Sequence, residues 1–514
     1  MAIVSITPEI GLDQLYTYAG GLGVLEGDKF LYASRKGYDY IVLTLLYRYG
    51  YVDYKFDRED MVSELQTHPV PPHKILVPEE EFTIALKNEE VIVRPWIYQV
   101  RSTKIVYFEP VCPMWARSLV ERVYIEKNEQ ERYYKYILLA KASAEYIRKR
   151  IGLKKIDVID IQEAYSALIV LSLPEYKNYR FITHTPGPWG HPYYPRKLLE
   201  EEFQVDLSDN EDSIMLTKLA MDKAKKVYTV SKKHLDITKQ MFPGYSEKTS
   251  YVTNAVEESR WMHQALKRII SEIPIELIDP DTLWKAHQEA KNDLVKMIRQ
   301  YKNTARITED KMIVVWARRL TRYKRPYFIT KFIEEYNPED VFFVLGGKPH
   351  PNDKDGISYA RTFKKLMDKY DNVIYVHDYD IFRAKFMLAG GDLLLFTPFP
   401  GWEACGTSYM KAGINGVPIL ASRDGGALEL IRDNLNSWFF GSSIDELINI
   451  YEDPRARQID EKDYVDFARK LYEIIDLYPT DKYKKIMCNI LRDTHKGFTM
   501  KRLFSQYYPW IEGI

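Results

Sequence analysis

Cysteine is scarce in this chain: three among 514 residues, Cys112, Cys405 and Cys488, far apart and never in a CxxC pair. That argues against a disulfide framework and a cysteine-held metal, and for a reducing compartment. Net charge is lacking as well, with 73 Lys+Arg against 73 Asp+Glu. No global field advertises nucleic acid or a basic partner, so any anion site is expected to be local. No run approaches the ~20 apolar residues of a membrane span. The opening MAIVSITPEI has no basic segment ahead of a long apolar one, so no signal peptide is expected. The expectation is a soluble cytoplasmic protein with neither nucleic acid nor membrane as partner. Solenoid repeats and low-complexity tracts are absent too.

What is present is the alternation of short apolar runs with helical patterns that marks an α/β protein. In the first half, residues 38–48, 155–164 and 179–187 read as strands, and 131–150 and 163–173 as helices. "KKVYTVSKKH" (225–234) reads as strand, serine cap and helix. In the second half, strands are expected at 311–319, 340–348, 372–379, 391–399 and 417–424. Their mostly continuous apolar runs suit a parallel sheet buried on both faces. The chain is long enough for two or three domains. The expected division is a Rossmann-like domain over 1–254, a helical connection over 255–310 and a second Rossmann-like domain over 311–490. A helical tail, 491–514, is expected to pack back on the N-terminal domain. Two doubly wound sheets in one chain suggest a cleft between them, with ligands at the carboxyl ends of the strands.

The strand ends carry the candidate chemistry. "AGGLGVLEGDKF" (19–30) sets Gly20, Gly21 and Gly23 before a helix. Bare backbone N–H groups at a helix start suit an anion, and a tight turn needing positive φ explains the glycines equally well. "WARRLTRYKRPY" (316–327) concentrates Arg318, Arg319, Arg322, Lys324 and Arg325 behind a strand, which favours a phosphate site over a solvated charge run. "ITHTPGPWGHPYYP" (182–195) combines His184 and His191 with aromatics and prolines. No acidic or cysteine partner completes a metal set, and rigid aromatic loops suit sugar rings. A structural role for His191 stays open. Asn254 is either a sugar-hydroxyl ligand or a turn former. In "GWEACGTSYMKAGINGVPI" (401–419), Glu403, Gly406 and Thr407 precede a helix carrying Lys411. A buried lysine under the positive end of a helix dipole is pushed toward the neutral amine that bonds to an aldehyde cofactor. From this stretch alone, a surface lysine remains the simpler reading.

Taken together, these motifs resemble the α-glucan (glycogen, starch and maltodextrin) phosphorylases of shorter prokaryotic type. "THTPGPWGH" resembles that family's THTPVPAGH, "VTNAVEESRW" its ITNGV…W, "ARRLTRYKRP" its ARRxxxYKR, and "GGKPHPND" its GKAHPAD. "EACGTSYMKAGINGV" resembles EACGTSGMKAxxNGV, and the N-terminal strand and glycine segment also match in order. The resemblance implies two Rossmann-like domains facing a cleft, the glycosyltransferase-B architecture. It also implies pyridoxal 5'-phosphate held covalently at Lys411, with Arg318, Lys324, Thr407, Gly20 and Gly21 around its phosphate. Arg319 stands where the family holds substrate phosphate, with Lys324 and His184 as further catalytic positions. Glu403, Asn254, Tyr323, His184 and Gly406 match positions that hold the transferred glucose. The implied reaction is reversible phosphorolysis of a terminal α-1,4 glucosyl unit to glucose 1-phosphate with retention. Its partners are an α-glucan or maltodextrin, inorganic phosphate and glucose 1-phosphate, in a homodimer or higher oligomer. No metal is implied.

The chain departs from the pattern at Gln162 and Tyr165, where the family has asparagine and histidine, at Ala255 for glycine, and at Tyr409 for a small residue. It is also much shorter than animal members. The regulatory segment through which those respond to phosphorylation and nucleotides is expected to be missing, and with it that control. Two other readings remain: a nucleotide-sugar glucosyltransferase of the same architecture without pyridoxal phosphate, and an inactive glucan-binding relative. Lys411 and the Arg318–Lys324 cluster discriminate against both, since a nucleotide donor has no use for the former and an idle protein none for either.

Overall fold

The parallel strands run almost wholly apolar, and the fold buries them accordingly. The structure is a computed structural model that describes residues 1–57, 60–207, 211–302 and 310–511. It divides into two compact units. The first comprises Met1–Tyr51, Leu65–Val252 and Tyr508–Ile514; the second comprises Val52–Glu64 and Thr253–Tyr507. Among the described residues no helix is long and apolar enough to cross a membrane.

In the first unit, seven parallel strands are β1 (Ala2–Ile6), β2 (Tyr40–Leu45), β3 (Thr103–Cys112), β4 (Ile156–Gln162), β5 (Tyr179–Ile182), β6 (Lys226–Thr229) and β7 (Thr249–Tyr251). Their order in the sheet is β7-β6-β5-β4-β1-β2-β3. β1 lies at the centre, with Val4 opposite both Ile159 and Ile41. Every residue of β1 and β2 is buried, as a sheet covered on both faces requires. The strand Glu89–Val100 then pairs antiparallel with β3, an extension the sequence reading passed over. Its burial alternates residue by residue, the mark of a sheet with one wet face. The helix expected at 163–173 is broken into a 3₁₀ turn, Ala164–Ser166, and a single helical turn, Ile169–Ser172.

The second unit holds β8 (Met312–Ala317), β9 (Val341–Gly346), β10 (Val373–Val376), β11 (Leu393–Phe396), β12 (Ile419–Ser422) and β13 (Trp438–Phe440), all parallel. Their order is β10-β9-β8-β11-β12-β13. In both units strand order reverses beside the first strand, between β1 and β4 and between β8 and β11. In such sheets ligands bind outside the carboxyl ends at this switch point.

The unit bounds differ in three places from the expected division. Val52–Glu64, expected in the N-terminal domain, groups with the second unit. The helical stretch after 254 groups with the second unit, through helix Pro280–Ile298; residues 303–309 of the expected connection lie outside the described residues. Of the tail expected to return to the first unit, helices Asp481–Gly497 and Met500–Tyr507 stay with the second, and the return begins at Tyr508. Tyr483 explains the former, its ring stacked on Trp438 at 6.2 Å. Within the first unit Tyr508 donates to Asp160 at 2.6 Å and lies 4.8 Å from the Arg180 guanidinium.

Candidate active site

The end of β8 delivers Arg318, and the end of β11 leads into the loop Thr397–Thr407; the two meet at the switch point of the second sheet. Arg318 is buried, its guanidinium stacked 4.0 Å from the centre of the Phe396 ring. Its Nη2 donates to Glu403 Oε2 at 2.5 Å, and Lys324 Nζ stands 3.4 Å from the same oxygen. Gly406 makes this stacking possible. A Cβ there would lie 2.6 Å from the Phe396 ring and 3.3 Å from Arg318 Nη2.

The electrostatics follow from two or three cations sharing one carboxylate. Burial lowers the Lys324 amine to about 7; Arg318 and Arg319 push the same way, and Glu403 opposes them. Burial also resists ionisation of Glu403, but Lys324 and Arg318 outweigh it and hold that carboxyl below its usual range. Tyr323 is kept protonated by burial and by Glu403; its ring stacks on Trp402 at 6.0 Å. Arg318 Nη1 is buried with no hydrogen-bond partner among the described residues. A depressed lysine and an orphaned guanidinium nitrogen are what a site shaped around an added anion leaves behind.

Of the expected cationic cluster, Arg325 serves a different purpose. It is fully buried, paired with Asp463 at 2.9 Å and donating to the carbonyls of Thr397 and Pro398 at 3.0 Å each. It braces the site loop from beneath and reaches no ligand. Asp424, at the end of β12, was missed by sequence reasoning. Its carboxylate accepts from the backbone of Gly401 and Glu403, each at 2.8 Å, and so fixes the turn that aims Glu403. A lone aspartate directly after a strand was the available signal.

Helix α1 spans Gly21–Lys36, and the short helix α2 spans Ser408–Gly413. Lys411 is 7% exposed, so the surface-lysine reading fails. Its amine lies 4.1 Å from the centre of the Trp261 ring. Asn415 holds the two segments together, donating to the carbonyls of Trp261 at 2.9 Å and Lys411 at 2.8 Å. The dipole argument for Lys411 does not hold, because in so short a helix it stands in the last turn, where a dipole favours cations. Thr407 precedes α2 and accepts the Lys411 N–H through its carbonyl, but its side chain caps nothing. Asn254 belongs to the same cluster, its Nδ2 donating to the Cys405 carbonyl at 3.0 Å. Tyr409 points away from Lys411 into the core, its ring 4.8 Å from Phe396 and its hydroxyl 3.4 Å from Cys405 Sγ.

The first unit carries Gly20, Gly21 and His184. Gly20 is extended and Gly21 opens α1, so neither needs positive φ and the tight-turn reading is set aside. A Cβ on Gly21 would meet nothing within 4 Å, whereas one on Gly23 would strike Tyr18 at 2.6 Å. The N–H groups of Ala19 and Gly20 are already taken by Glu9, at 2.6 and 3.1 Å. The helix start therefore carries one anion of its own. His184 Nε2 meets Gln162 Oε1 at 2.9 Å, and its N–H donates to Glu163 at 2.7 Å. Burial, with Lys29 adding to it, holds the His184 ring neutral. Glu163, also missed from sequence, is a buried non-glycine residue at φ 62°; burial raises its carboxyl to about 8. His191 is structural, its Nδ1 at 2.8 Å from Thr217 Oγ1.

Residues 276–511, which include Arg318, Lys324, Glu403 and Lys411 but not Asn254 or Trp261, match the carbohydrate phosphorylase family. Maltodextrin phosphorylase from Thermococcus litoralis is 27% identical over 98% of this chain and 70% of its own length. Glycogen phosphorylase from Aquifex aeolicus is 28% identical over 85% of this chain and 76% of its own. An uncharacterized protein from Methanocaldococcus jannaschii is 25% identical over 96% of both chains.

Proposed function

We propose that this chain, whose residues 276–511 match the carbohydrate phosphorylase family, is an α-1,4-glucan phosphorylase. It would cleave a terminal glucosyl unit with inorganic phosphate, reversibly, to give glucose 1-phosphate with retained configuration. The observation that carries this reading is the buried cation pair around Glu403. Arg318 keeps one guanidinium nitrogen without a hydrogen-bond partner among the described residues, and burial lowers the Lys324 amine to about 7.

Those residues fit a phosphorylated aldehyde cofactor, pyridoxal 5'-phosphate. Lys411 would hold it covalently, and Arg318 and Lys324 would receive its phosphate, with Thr407 and Gly21 as further contacts by family position; Gly20, a third by that resemblance, already gives its N–H to Glu9. When bound, the cofactor supplies a phosphate acid–base group beside the substrate phosphate.

The chain's own groups do the rest. Arg319 binds the substrate phosphate by charge. Lys324, with an amine near 7, binds an arriving anion as the ammonium and can hold or release a proton at Nζ near neutrality. Glu403 stays ionised between its cations and accepts from a sugar hydroxyl; Asn254, Tyr323, Gly406 and neutral His184 complete the grip on the glucosyl unit. Cations placed before the reaction, on largely buried side chains, stabilise the phosphate charge without reorganisation. We infer a cytoplasmic homodimer or higher oligomer on family resemblance alone.

The near-ultraviolet and visible spectrum of the purified protein, before and after borohydride reduction, tests the cofactor. Release of glucose 1-phosphate from a maltooligosaccharide and phosphate tests the reaction. A colourless protein that takes up no pyridoxal phosphate and transfers glucose from a nucleotide sugar would overturn the proposal.

A further inference from the structure

The loop after β5 departs from the family motif THTPVPAGH at two positions, Gly187 for valine and Trp189 for alanine. The structure makes these one change. A Cβ on Gly187 would lie 2.9, 3.0 and 3.1 Å from three atoms of the Trp189 indole, so the glycine gives the ring its bed. The turn beneath it is tightly fixed. Gly190 N–H donates to the Gly187 carbonyl at 2.9 Å, and His191 N–H to Pro188 at 3.1 Å. A Cβ on Gly190 would meet the Thr185 carbonyl at 2.8 Å. His191 is tied to Thr217, and Pro186, Pro188 and Pro192 stiffen the rest. On this rigid base Trp189 remains 45% exposed and Tyr193 49% exposed.

A lone exposed aromatic needs no explanation; an indole with its own glycine bed on a locked turn does. The surrounding chemistry narrows the ligand. Residues 183–195 contain no Asp, Glu, Lys or Arg, and His184 and His191 are both held neutral by burial. A neutral aromatic surface five residues from His184 suits an uncharged, hydroxyl-rich ring and offers no charge to a phosphate. Because the ring is fixed in advance, little conformational freedom is lost when a ligand stacks on it.

We propose that Trp189 is a sugar-stacking platform that binds a further glucosyl ring of the glucan chain, a subsite on the N-terminal unit that the family motif does not supply. This rests on the glucan phosphorylase reading. Binding is therefore measured apart from turnover, by isothermal titration of maltoheptaose into full-length wild type, Trp189→Ala, Trp189→Phe and Gly187→Val. Phosphorolysis kinetics are run beside it. Trp189→Ala is expected to weaken maltoheptaose binding roughly three- to tenfold, with KM for phosphate within twofold of wild type. Trp189→Phe should recover most of the loss, and Gly187→Val, which unseats the ring, should reproduce it. Wild-type affinity in Trp189→Ala, or no binding of maltoheptaose to the wild type, overturns the subsite. Absent phosphorolysis with binding that still depends on Trp189 overturns the reaction and leaves the subsite standing.

Discussion

Arg318 meets Glu403 at 2.5 Å while its guanidinium rests on Phe396, and its other terminal nitrogen has no hydrogen-bond partner among the described residues. One arginine thus orients the site carboxylate and keeps a donor in reserve for an anion. Lysine can match the charge but neither the fork nor the stacking. Arg318→Lys is expected to lower phosphorolysis by about a hundredfold, the scale of losing a preorganised donor at a developing charge. It should also weaken retention of pyridoxal phosphate, read as loss of absorbance on dialysis. Activity within threefold of wild type would show that Arg318 serves only to position Glu403.

Gly406→Ala tests the same arrangement from below. The added methyl falls 2.6 Å from the Phe396 ring, which is itself buried, so the ring must shift and tilt Arg318. Overpacking of this kind costs about 1–3 kcal/mol. A fall in the urea midpoint together with weaker phosphate use is expected. A stable variant with unaltered kinetics would mean that Phe396 yields freely.

Much of this could be read before any coordinates. The runs over Met312–Ala317 and Val341–Gly346 are continuous and apolar, so strands ending in chemistry were legible, as was the order of motifs along the chain. The rest depends on distance in sequence. Arg325 looks like its neighbours, and partners far along the chain, Asp460, Asp463 and the carbonyls of Thr397 and Pro398, make it structural. The burial of Lys411 comes from Trp261, which no local pattern brings near. Residues 89–100 alternate in burial but not cleanly in sequence, where Val91-Ile92-Val93 and Trp96-Ile97-Tyr98 run together, so their antiparallel pairing carries no clear period of two. Glu9 filling N–H groups ahead of α1 is likewise a tertiary fact.

Tyr409, a departure from the family's small residue, is expected to act through packing. Its ring lies under Phe396, and its hydroxyl makes one contact, with Cys405. Tyr409→Phe should therefore cost about 0.5–1.5 kcal/mol, the scale of one hydrogen bond. Tyr409→Ala should cost about 3–5 kcal/mol by leaving a cavity. Denaturant titrations of both variants measure the difference. Equal losses would assign the effect to the hydroxyl.

Lys324 predicts a pH dependence whose sign can be worked out. Its amine titrates near 7 in the folded protein, against an ordinary lysine value of 10.5, because burial and two arginines disfavour the ammonium. Between about 7 and 10.5 the unfolded chain binds the proton and the folded chain does not, so this group's contribution to stability rises with pH across that window. The urea midpoint of the wild type should accordingly gain on that of Lys324→Met between pH 6 and pH 9. Anion binding runs the opposite way. Below about 7 the ammonium is already present; above it, binding must take up a proton, and affinity falls by up to about tenfold per pH unit. Sulfate, which does not titrate here, is the suitable probe. Calorimetry in buffers of different ionisation enthalpy should show proton uptake by the wild type at pH 8 and almost none by Lys324→Met. Equal uptake in both proteins would move the titrating group elsewhere.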